Sequence, residues 1–259
     1  TIHVLTVADT GHGGPPGRGG DTAEELEANG RALVQDAAAR ARDRGLDAVT
    51  AVRRGDPPAE IVDYSARSDA ELLVMPTHGR RGVDRFLLGS VTERVINTAD
   101  VPVITVNPEE SDAVTYPCQQ LLVPTDGGRG AGLAVTEGAA LAGVTGARLH
   151  LLYVVETDSL GPDARSVVRE SELTERADEI LTDAAETASA LDAVERAVER
   201  GTPSREIRSY IEAHGIDLVV MGTHGTTDFS RYVLGGVSSK LVRTASVPVM
   251  WVRESPAEE

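Results

Sequence analysis

The chain is poor in the residues on which several classes of protein depend. It has one cysteine in 259 residues, Cys118, which excludes an intrachain disulfide framework and leaves Cys118 as a small residue beside a strand. It has no run of about 18 apolar residues, the length that a transmembrane helix needs, and no visible secretory signal. These absences predict a cytoplasmic protein with no membrane partner.

Basic residues are also scarce. Twenty-five Lys and Arg face 41 Asp and Glu, the net charge is −16, and Lys240 is the single lysine. This excess of acid opposes binding to nucleic acid. It also indicates a halophilic, salt-adapted protein, although a GC-rich genome would replace Lys by Arg as well. Because the Debye length falls from about 30 Å at 0.01 M to about 3 Å at 1 M, we expect the melting temperature to rise with KCl.

No catalytic or metal-binding pattern stands out. His78 and His224 lie in glycine-rich loops, where a loop-ordering role is the simpler interpretation, and His3 and His150 lie on matching strands as packing residues. A phosphate-binding Walker loop requires Gly-Lys-Ser/Thr, but the only lysine follows Ser239. We therefore predict neither a catalytic residue nor a metal site.

What the chain does contain is one segment twice. Residues 218–252 have the pattern strand, glycine loop, helix start, strand. A shift of 146 residues superposes three stretches, 72–79 on 218–225, 85–89 on 231–235 and 101–103 on 247–249. A constant offset predicts a duplicated domain. We place the first domain at 1–107, a linker at 108–118 and the second domain at 119–253.

Strands alternating with helices in both halves predict an α/β fold with parallel sheets. The second half opens with a strand at 120–126 and a helix at about 131–143 that have no counterpart in the first half. We therefore expect about thirty residues, one strand and one helix, to precede Thr1 in a complete first domain. If the absent strand is central, its two neighbours are left as unpaired edges.

The closing strand of each half is apolar and carries no lysine to protect its edge. These strands, 101–106 and 247–252, both contain Val-Pro-Val. Because an unprotected edge tends to pair with another strand, we expect each to have a partner.

The glycine pattern resembles one family. Gly222-x-x-Gly225, nine residues and then Gly235, set between a Val-Val-Met strand and a Val-Pro-Val strand, resembles the universal stress protein family. The opening Leu-Leu-Val-Pro-Thr-Asp126-Gly is similar too. The resemblance implies two tandem, doubly wound, Rossmann-like domains with five-stranded parallel sheets of order 3-2-1-4-5, the first incomplete. It also implies ATP binding at the carboxyl ends of the strands, with the closing edges of the two domains paired as an intramolecular pseudo-dimer or in a homodimer.

The same resemblance assigns the nucleotide contacts. Gly236 stands where the family normally has Ser or Thr, which removes a hydroxyl worth about 1.5–3 kcal/mol if bonded to a charged phosphate. We expect a side chain at Gly222 or Gly225 to crowd the phosphates and weaken binding without unfolding the protein. The full set is Pro124, Thr125, Asp126 and Val154 at the adenosine end, and Gly222, Gly225, Gly235, Gly236, Val237 and Ser238 at the ribose and phosphates.

The first domain departs further from the family pattern, because Pro76 replaces the first motif glycine and has no N–H to offer a phosphate. It retains a weaker second site of Val7, Gly79, Gly89, Ser90, Val91 and Thr92. The function implied is a nucleotide-binding regulatory module of the stress response that takes ATP, ADP or AMP, with Mg²⁺ only alongside the nucleotide, and acts on an unknown client protein. The alternatives are a nucleotide-free interaction scaffold of the same fold and a slow ATPase.

Overall fold

A computed structural model of the chain describes residues 1–9, 23–78, 88–108, 115–156, 167–223 and 235–254. The chain divides into two compact units, residues 1–70 and residues 71–259. None of the described helices combines the length and the apolar character needed to cross a lipid bilayer.

The first unit is a pair of strands with two helices. Its elements are β1 (Ile2–Asp9), α1 (Ala23–Arg42), β2 (Ala48–Gly55) and α2 (Pro57–Arg67). The strands are parallel along their whole length, from Ile2 beside Ala48 to Asp9 beside Gly55. Helix α1 lies close against them, since a Cβ on Gly30 would come within 2.8 Å of Thr6 Cγ2. That close approach explains a glycine in the interior of a helix.

The second unit contains the rest of the first repeat and the whole of the second. The first repeat contributes β3 (Leu73–Pro76), α3 (Ser90–Thr98) and β4 (Val103–Val106). The second repeat contributes β5 (Gln120–Pro124), α4 (Arg129–Thr145), β6 (Arg148–Glu156), α5 (Val167–Thr187), β7 (Val194–Gly201), α6 (Pro203–His214), β8 (Leu218–Gly222), α7 (Gly236–Thr244) and β9 (Val249–Val252).

One seven-stranded sheet runs through this unit in the order β3-β4-β9-β8-β5-β6-β7. The five strands of the second repeat are parallel to one another. Numbered from β5 as the first, they stand in the order 3-2-1-4-5 from β7 to β9. Strand β5 is therefore central, and its side chains Leu121, Leu122 and Val123 are each 0% exposed. A strand covered on both faces needs the continuous apolar run that this segment has.

The two closing strands pair with each other, as predicted. Strands β4 and β9 are antiparallel, with Ile104 opposite Met250 at the centre of the register. These two residues are equivalent in the repeats, so the pairing has an approximate two-fold axis between them. The indole N–H of Trp251 donates to Thr105 Oγ1 at 2.9 Å, and these two positions are also repeat-equivalent. The expectation that each closing edge has a partner is confirmed within the chain.

The first repeat does not form one sheet. Its strands β1 and β2 make a two-stranded sheet, while β3 and β4 belong to the seven-stranded sheet. In the second repeat β5 joins the matching strands β6 and β8. Among the described residues β1 and β3 have no such joining strand, so the compact units divide at residue 70 rather than at the predicted linker. The linker itself falls partly on residues 109–114, outside the described residues.

Candidate functional site

A cleft of about 380 Å³ lies where β5, β6 and β8 end, at their carboxyl ends. This is the place where open parallel sheets bind ligands, since the connections diverge on either side of the central strand. All the residues predicted for the main site line it except Gly225, which lies outside the described residues. They are Pro124, Thr125, Asp126, Val154, Gly222, Gly235, Gly236, Val237 and Ser238.

The turn after β5 orients the carboxylate of Asp126. Its Oδ1 accepts a hydrogen bond from the Gly128 N–H at 2.9 Å, just before α4 begins. Thr125 Oγ1 accepts a longer one, 3.2 Å, from Gly127, whose φ of 78° favours glycine. The segment is therefore a tight turn. It holds one carboxylate in a defined direction at the wall of the cleft.

Strand β6 extends past the end of β5. The pairing of these strands ends at Pro124 and Leu152, whereas β6 continues to Glu156 beside β7. The Leu152 carbonyl points toward β5, because it accepts the Thr125 N–H at 2.9 Å. Peptide groups alternate in direction along a strand, so those of Val154 point to the same side as those of Leu152. Val154 thus directs one main-chain donor and one acceptor beyond the end of β5.

Helix α7 begins at the opposite wall without a side-chain cap. The Gly235 N–H donates to Thr223 O at 3.1 Å, and the first bond within the helix runs from the Ser239 N–H to Gly235 O at 2.8 Å. The N–H groups of residues 236–238 precede that bond and have no acceptor within the helix. Such a helix start carries partial positive charge and suits an anion.

The Ser238 hydroxyl has an internal role. Ser238 is 3% exposed, and its Oγ donates to Gly222 O at 3.2 Å. The equivalent Thr92 donates in the same way to Pro76 O at 2.9 Å. In both repeats the hydroxyl ties the start of a helix to the end of the strand that precedes the glycine loop. The Ser238 hydroxyl proton is therefore committed to the protein.

Gly222 is required by packing. A Cβ built there would lie 2.6 Å from the carbonyl carbon and 2.7 Å from the oxygen of Gly130, both main-chain atoms of α4. A neighbouring backbone cannot move aside as a flexible side chain can. A side chain at Gly222 would therefore disturb the packing of α4 as well as any bound phosphate, whereas its expected effect on binding stays a prediction. Gly236, by contrast, is exposed, and a Cβ there would meet nothing within 4 Å.

Sequence reasoning missed the residues that the crossover helices bring to the cleft. Pro203 and Ile207 of α6 line it, as does Arg176 of α5. Among the described lining residues Arg176 alone is basic, and Asp126 and Glu156 are the acidic members of the same lining. No sequence signal marked Arg176, Pro203 or Ile207, because crossover helices, rather than the glycine loop, carry them.

The weaker site of the first repeat is only partly described. Gly89, Ser90, Val91 and Thr92 form the start of α3, where the Gly89 N–H donates to Thr77 O at 2.9 Å and Glu93 closes the first helical bond at 3.0 Å. This repeats the geometry at α7. Val7, however, belongs to the unit of residues 1–70, and Gly79 lies outside the described residues. The second site stays a prediction.

No histidine is among the described residues that line the cleft. In the described ranges no group of three or more His, Cys, Asp or Glu side chains is arranged to hold a metal ion. His78 Nδ1 is 3.1 Å from Thr77 Oγ1, a contact that supports a loop-ordering role. Its repeat partner His224 lies outside the described residues.

Comparison with known proteins agrees with the fold and the repeat. A model of the Universal stress protein family matches residues 1–107 and, separately, residues 118–253. The chain belongs to the universal stress protein family. A universal stress protein of Mycobacterium tuberculosis is 30% identical over 242 residues, which cover 91% of this chain and 78% of the relative. One from Mycolicibacterium smegmatis is 31% identical over 215 residues, 81% of this chain and 70% of the relative.

Shorter relatives and a solved structure complete the comparison. A universal stress protein of Methanocaldococcus jannaschii is 39% identical over 83 residues, 32% of this chain, so the match spans about half, 49%, of that relative. The crystal structure of a universal stress protein from Archaeoglobus fulgidus covers 98% of this chain and 88% of its own, with a TM-score of 0.71 at 23% identity. That likeness supports the fold of this tandem universal stress protein.

Proposed function

We propose that this tandem universal stress protein binds an adenine nucleotide, ATP first, in the cleft of its second repeat, and acts as a cytoplasmic regulatory module of the stress response. One observation carries the proposal. Residues that the family resemblance assigned to the nucleotide, from distant parts of the chain, line one cleft at the carboxyl ends of the strands. The volume, about 380 Å³, lies within the range of small-molecule sites.

The start of α7 supports binding of the phosphates. Three successive N–H groups, at residues 236–238, precede the first bond of the helix, and Gly236 leaves open space in front of them. Main-chain donors at a helix start bind an anion without a lysine, which suits a chain with a single lysine.

The end of β6 supports binding of the base. A main-chain N–H and C=O that point the same way fit the edge of adenine, where a ring nitrogen accepts and the amino group donates. Guanine has the reverse pattern on that edge, with a donor on the ring and an acceptor outside it. Val154 therefore favours adenine over guanine, because a mismatched buried polar pair costs about 1–3 kcal/mol.

The charges of the cleft explain why a metal ion would enter with the nucleotide. Asp126 and Glu156 are acidic, Arg176 is basic, and the chain as a whole carries −16. A triphosphate adds further negative charge, so Mg²⁺ bound to the phosphates lowers the repulsion. We propose Arg176 as a protein cation that assists it.

A charge placed at Gly236 tests the proposal. In Gly236→Asp the new carboxylate faces the proposed phosphates, where a like pair 4 Å apart costs about 4 kcal/mol at an effective dielectric near 20. Allowing for screening by salt, we expect calorimetry to show ATP binding weakened about 10- to 100-fold. The fold should gain about 0.3–1 kcal/mol, because an acidic residue suits a helix start.

Gly132→Asp is the matched control. Gly132 lies in the first turn of α4 and is exposed, and a Cβ added there would meet nothing within 4 Å, yet this residue does not line the cleft. The same charge there should leave ATP affinity within about twofold, a difference below about 0.5 kcal/mol. Equal loss in both variants would mean that general repulsion, rather than this cleft, governs binding.

Calorimetry of the wild-type protein also tests the alternative, a nucleotide-free interaction scaffold. If the wild-type protein shows no heat with ATP, ADP or AMP in about 1 M KCl, where repulsion is screened, and carries no nucleotide from expression, the nucleotide proposal fails. The interaction scaffold is then preferred, an alternative that Pro76 in the first repeat favours. Three predictions from the family resemblance remain: the client protein, a homodimer, and the weaker site at Val7, Gly79, Gly89, Ser90, Val91 and Thr92.

A further inference from the structure

A buried histidine links three elements of the second repeat at the end of the sheet away from the cleft. His150 of β6 is 3% exposed. Its Nδ1 is 3.0 Å from the hydroxyl of Tyr210 on α6, and its Nε2 is 2.8 Å from Oε1 of Gln120 on β5. Both ring nitrogens therefore have protein partners, and the ring joins α6 to two neighbouring strands.

These partners favour the neutral ring. An amide oxygen only accepts, so the proton of neutral His150 lies on Nε2 and Nδ1 accepts from the Tyr210 hydroxyl. A second proton on Nδ1 would face the Tyr210 oxygen, and the hydroxyl proton would lose its acceptor in a buried place. Leaving a buried donor unpaired is unfavourable.

The charged groups around the ring do not reverse this preference. Burial lowers the pKa of His150; the Glu195 carboxylate on β7 opposes the shift, while His214 of α6 and Arg148 of β6 add to it. Glu195 Oε2 is 3.4 Å from Nδ1, but this carboxylate is 43% exposed and also pairs with Arg148. Solvent and Arg148 weaken its hold on a proton at His150, so burial prevails.

Helix α6 extends from this histidine to the cleft. Tyr210 is stacked on His214 with ring centroids 3.7 Å apart, and the Ile211 side chain beside it is 2% exposed. One turn earlier Ile207, and at the first turn Pro203, line the cleft. One helix therefore carries both the partner of His150 and part of the wall of the cleft.

We propose that His150, Tyr210 and Gln120 form an acid-sensitive latch that holds α6 on the sheet, so that protonation of His150 releases α6 and with it the wall of the cleft. The effect on ligand rests on the proposed function, whereas the effect on α6 does not. Linkage gives the direction of the pH effect on the stability of α6. A histidine whose pKa is lowered in the folded state binds its proton more readily when α6 has separated from the sheet, the state that we call open. Stability of the closed helix is then lost as the pH falls below about 6.5, the ordinary value for histidine.

Hydrogen exchange in the nucleotide-free protein tests the latch. After correction for intrinsic exchange, the opening constant of α6 should rise about tenfold for each pH unit below about 6.5, until His150 itself titrates. Helix α4 serves as the internal reference. In His150→Gln, whose amide does not titrate, the rise specific to α6 should be absent.

The first repeat offers a matched control. His3 Nδ1 is 2.9 Å from the Tyr64 hydroxyl, the same pair with the rings again 5.8 Å apart, but His3 is exposed. Water can solvate either form of an exposed ring, so His3→Gln should leave the response of α6 unchanged. If His3→Gln and His150→Gln alter it equally, or if neither does, the latch is wrong.

Two further measurements keep the outcome decisive if His150→Gln folds poorly. The histidine NMR titration of the wild type should place the midpoint of His150 below about 6.5, and Tyr210→Phe should raise that midpoint by removing the donor to Nδ1. A midpoint at or above the ordinary value would overturn the proposal.

ATP titrations at about pH 7.5 and 5.5 then test the cleft: affinity should fall on acidification in the wild type by more than in His150→Gln. Absence of binding at both pH values would count against the proposed function alone.

Discussion

The two repeats place equivalent strands, β3 in the first and β8 in the second, in different surroundings. Val74 of β3 and Val220 of β8 are equivalent residues, yet Val74 is 65% exposed and Val220 is 0% exposed. Strand β8 has β5 on one side and β9 on the other, whereas β3 pairs only with β4 among the described strands. The same apolar strand is thus core in one setting and surface in the other. What buries it is the central strand together with helix α4, which packs on β8, and a strand's own sequence supplies neither.

Some features of the repeats form within one short segment, whereas others need several strands side by side. The start of α3 and the start of α7 share the same hydrogen bonds to the preceding strand. The cleft, however, needs the ends of three strands side by side, which the second repeat provides. The proposed site needs a helix start whose first N–H groups have no acceptor within the helix, which both repeats have. It also needs a central strand beside that helix start, and among the described residues the second repeat has one.

The largest difference in stability between the repeats is expected at the last residue of the strand before the glycine loop, which is Gly222 in β8 and Pro76 in β3. Gly222→Ala should destabilise the second unit by about 3 kcal/mol, because the new methyl meets main-chain atoms of α4, and should lower the melting temperature by about 6–12 °C. The equivalent Pro76→Ala replaces an exposed residue and should change it little. Thermal denaturation of both variants measures the difference, and a similar loss in each would show that β3 and β8 are alike at this position.

A second test concerns the seam, by which we mean the paired strands β4 and β9. Thr105→Val removes the acceptor of the buried Trp251 N–H and should cost about 1–3 kcal/mol in urea unfolding. Thr105→Ser keeps the hydroxyl and should lose much less. If Val is tolerated as well as Ser, the hydrogen bond between these equivalent residues contributes little to the seam.

The smallest expected effect concerns the hydroxyl bond that both repeats form between the start of a helix and the preceding strand. Ser238→Ala and Thr92→Val each remove a hydroxyl bond to a strand carbonyl, and each should cost about 1 kcal/mol. Because the Ser238 proton is committed to Gly222 O, Ser238→Ala should leave ATP affinity within about twofold. A tenfold loss of affinity without a loss of stability would instead make that hydroxyl a phosphate ligand.

Much of the fold was accessible from the sequence because its signals are local. The glycine spacing, the Val-Pro-Val closing strands and the constant offset predicted the repeat, the parallel strands and the pairing of the closing edges. Element ends differ by a few residues, as at α4, which begins at Arg129 rather than about 131. The division of the chain into two compact units at residue 70 is not a local feature, because it depends on which strands pair with each other.

The site shows the same limit. The residues on loops and strand ends could be assigned from the family resemblance, which the glycine spacing and the strand-terminal aspartate carry. Arg176, Pro203 and Ile207 could not, because crossover helices bring them to the cleft from distant positions in the chain. Nor could the sequence distinguish Gly222, where α4 excludes a side chain, from Gly236, where open space surrounds it.

The seam also gives the protein a built-in optical probe. Trp251 is the only tryptophan in the chain, is 1% exposed, and pairs with Met221, a residue that lines the cleft. Its fluorescence spectrum should be that of an indole shielded from water and should shift to longer wavelength when β9 separates from β4. The unit of residues 1–70 has no tryptophan, and its unfolding would be followed by circular dichroism. Trp251 fluorescence therefore reports on one part of the polypeptide without any label, while circular dichroism reports on the whole of it.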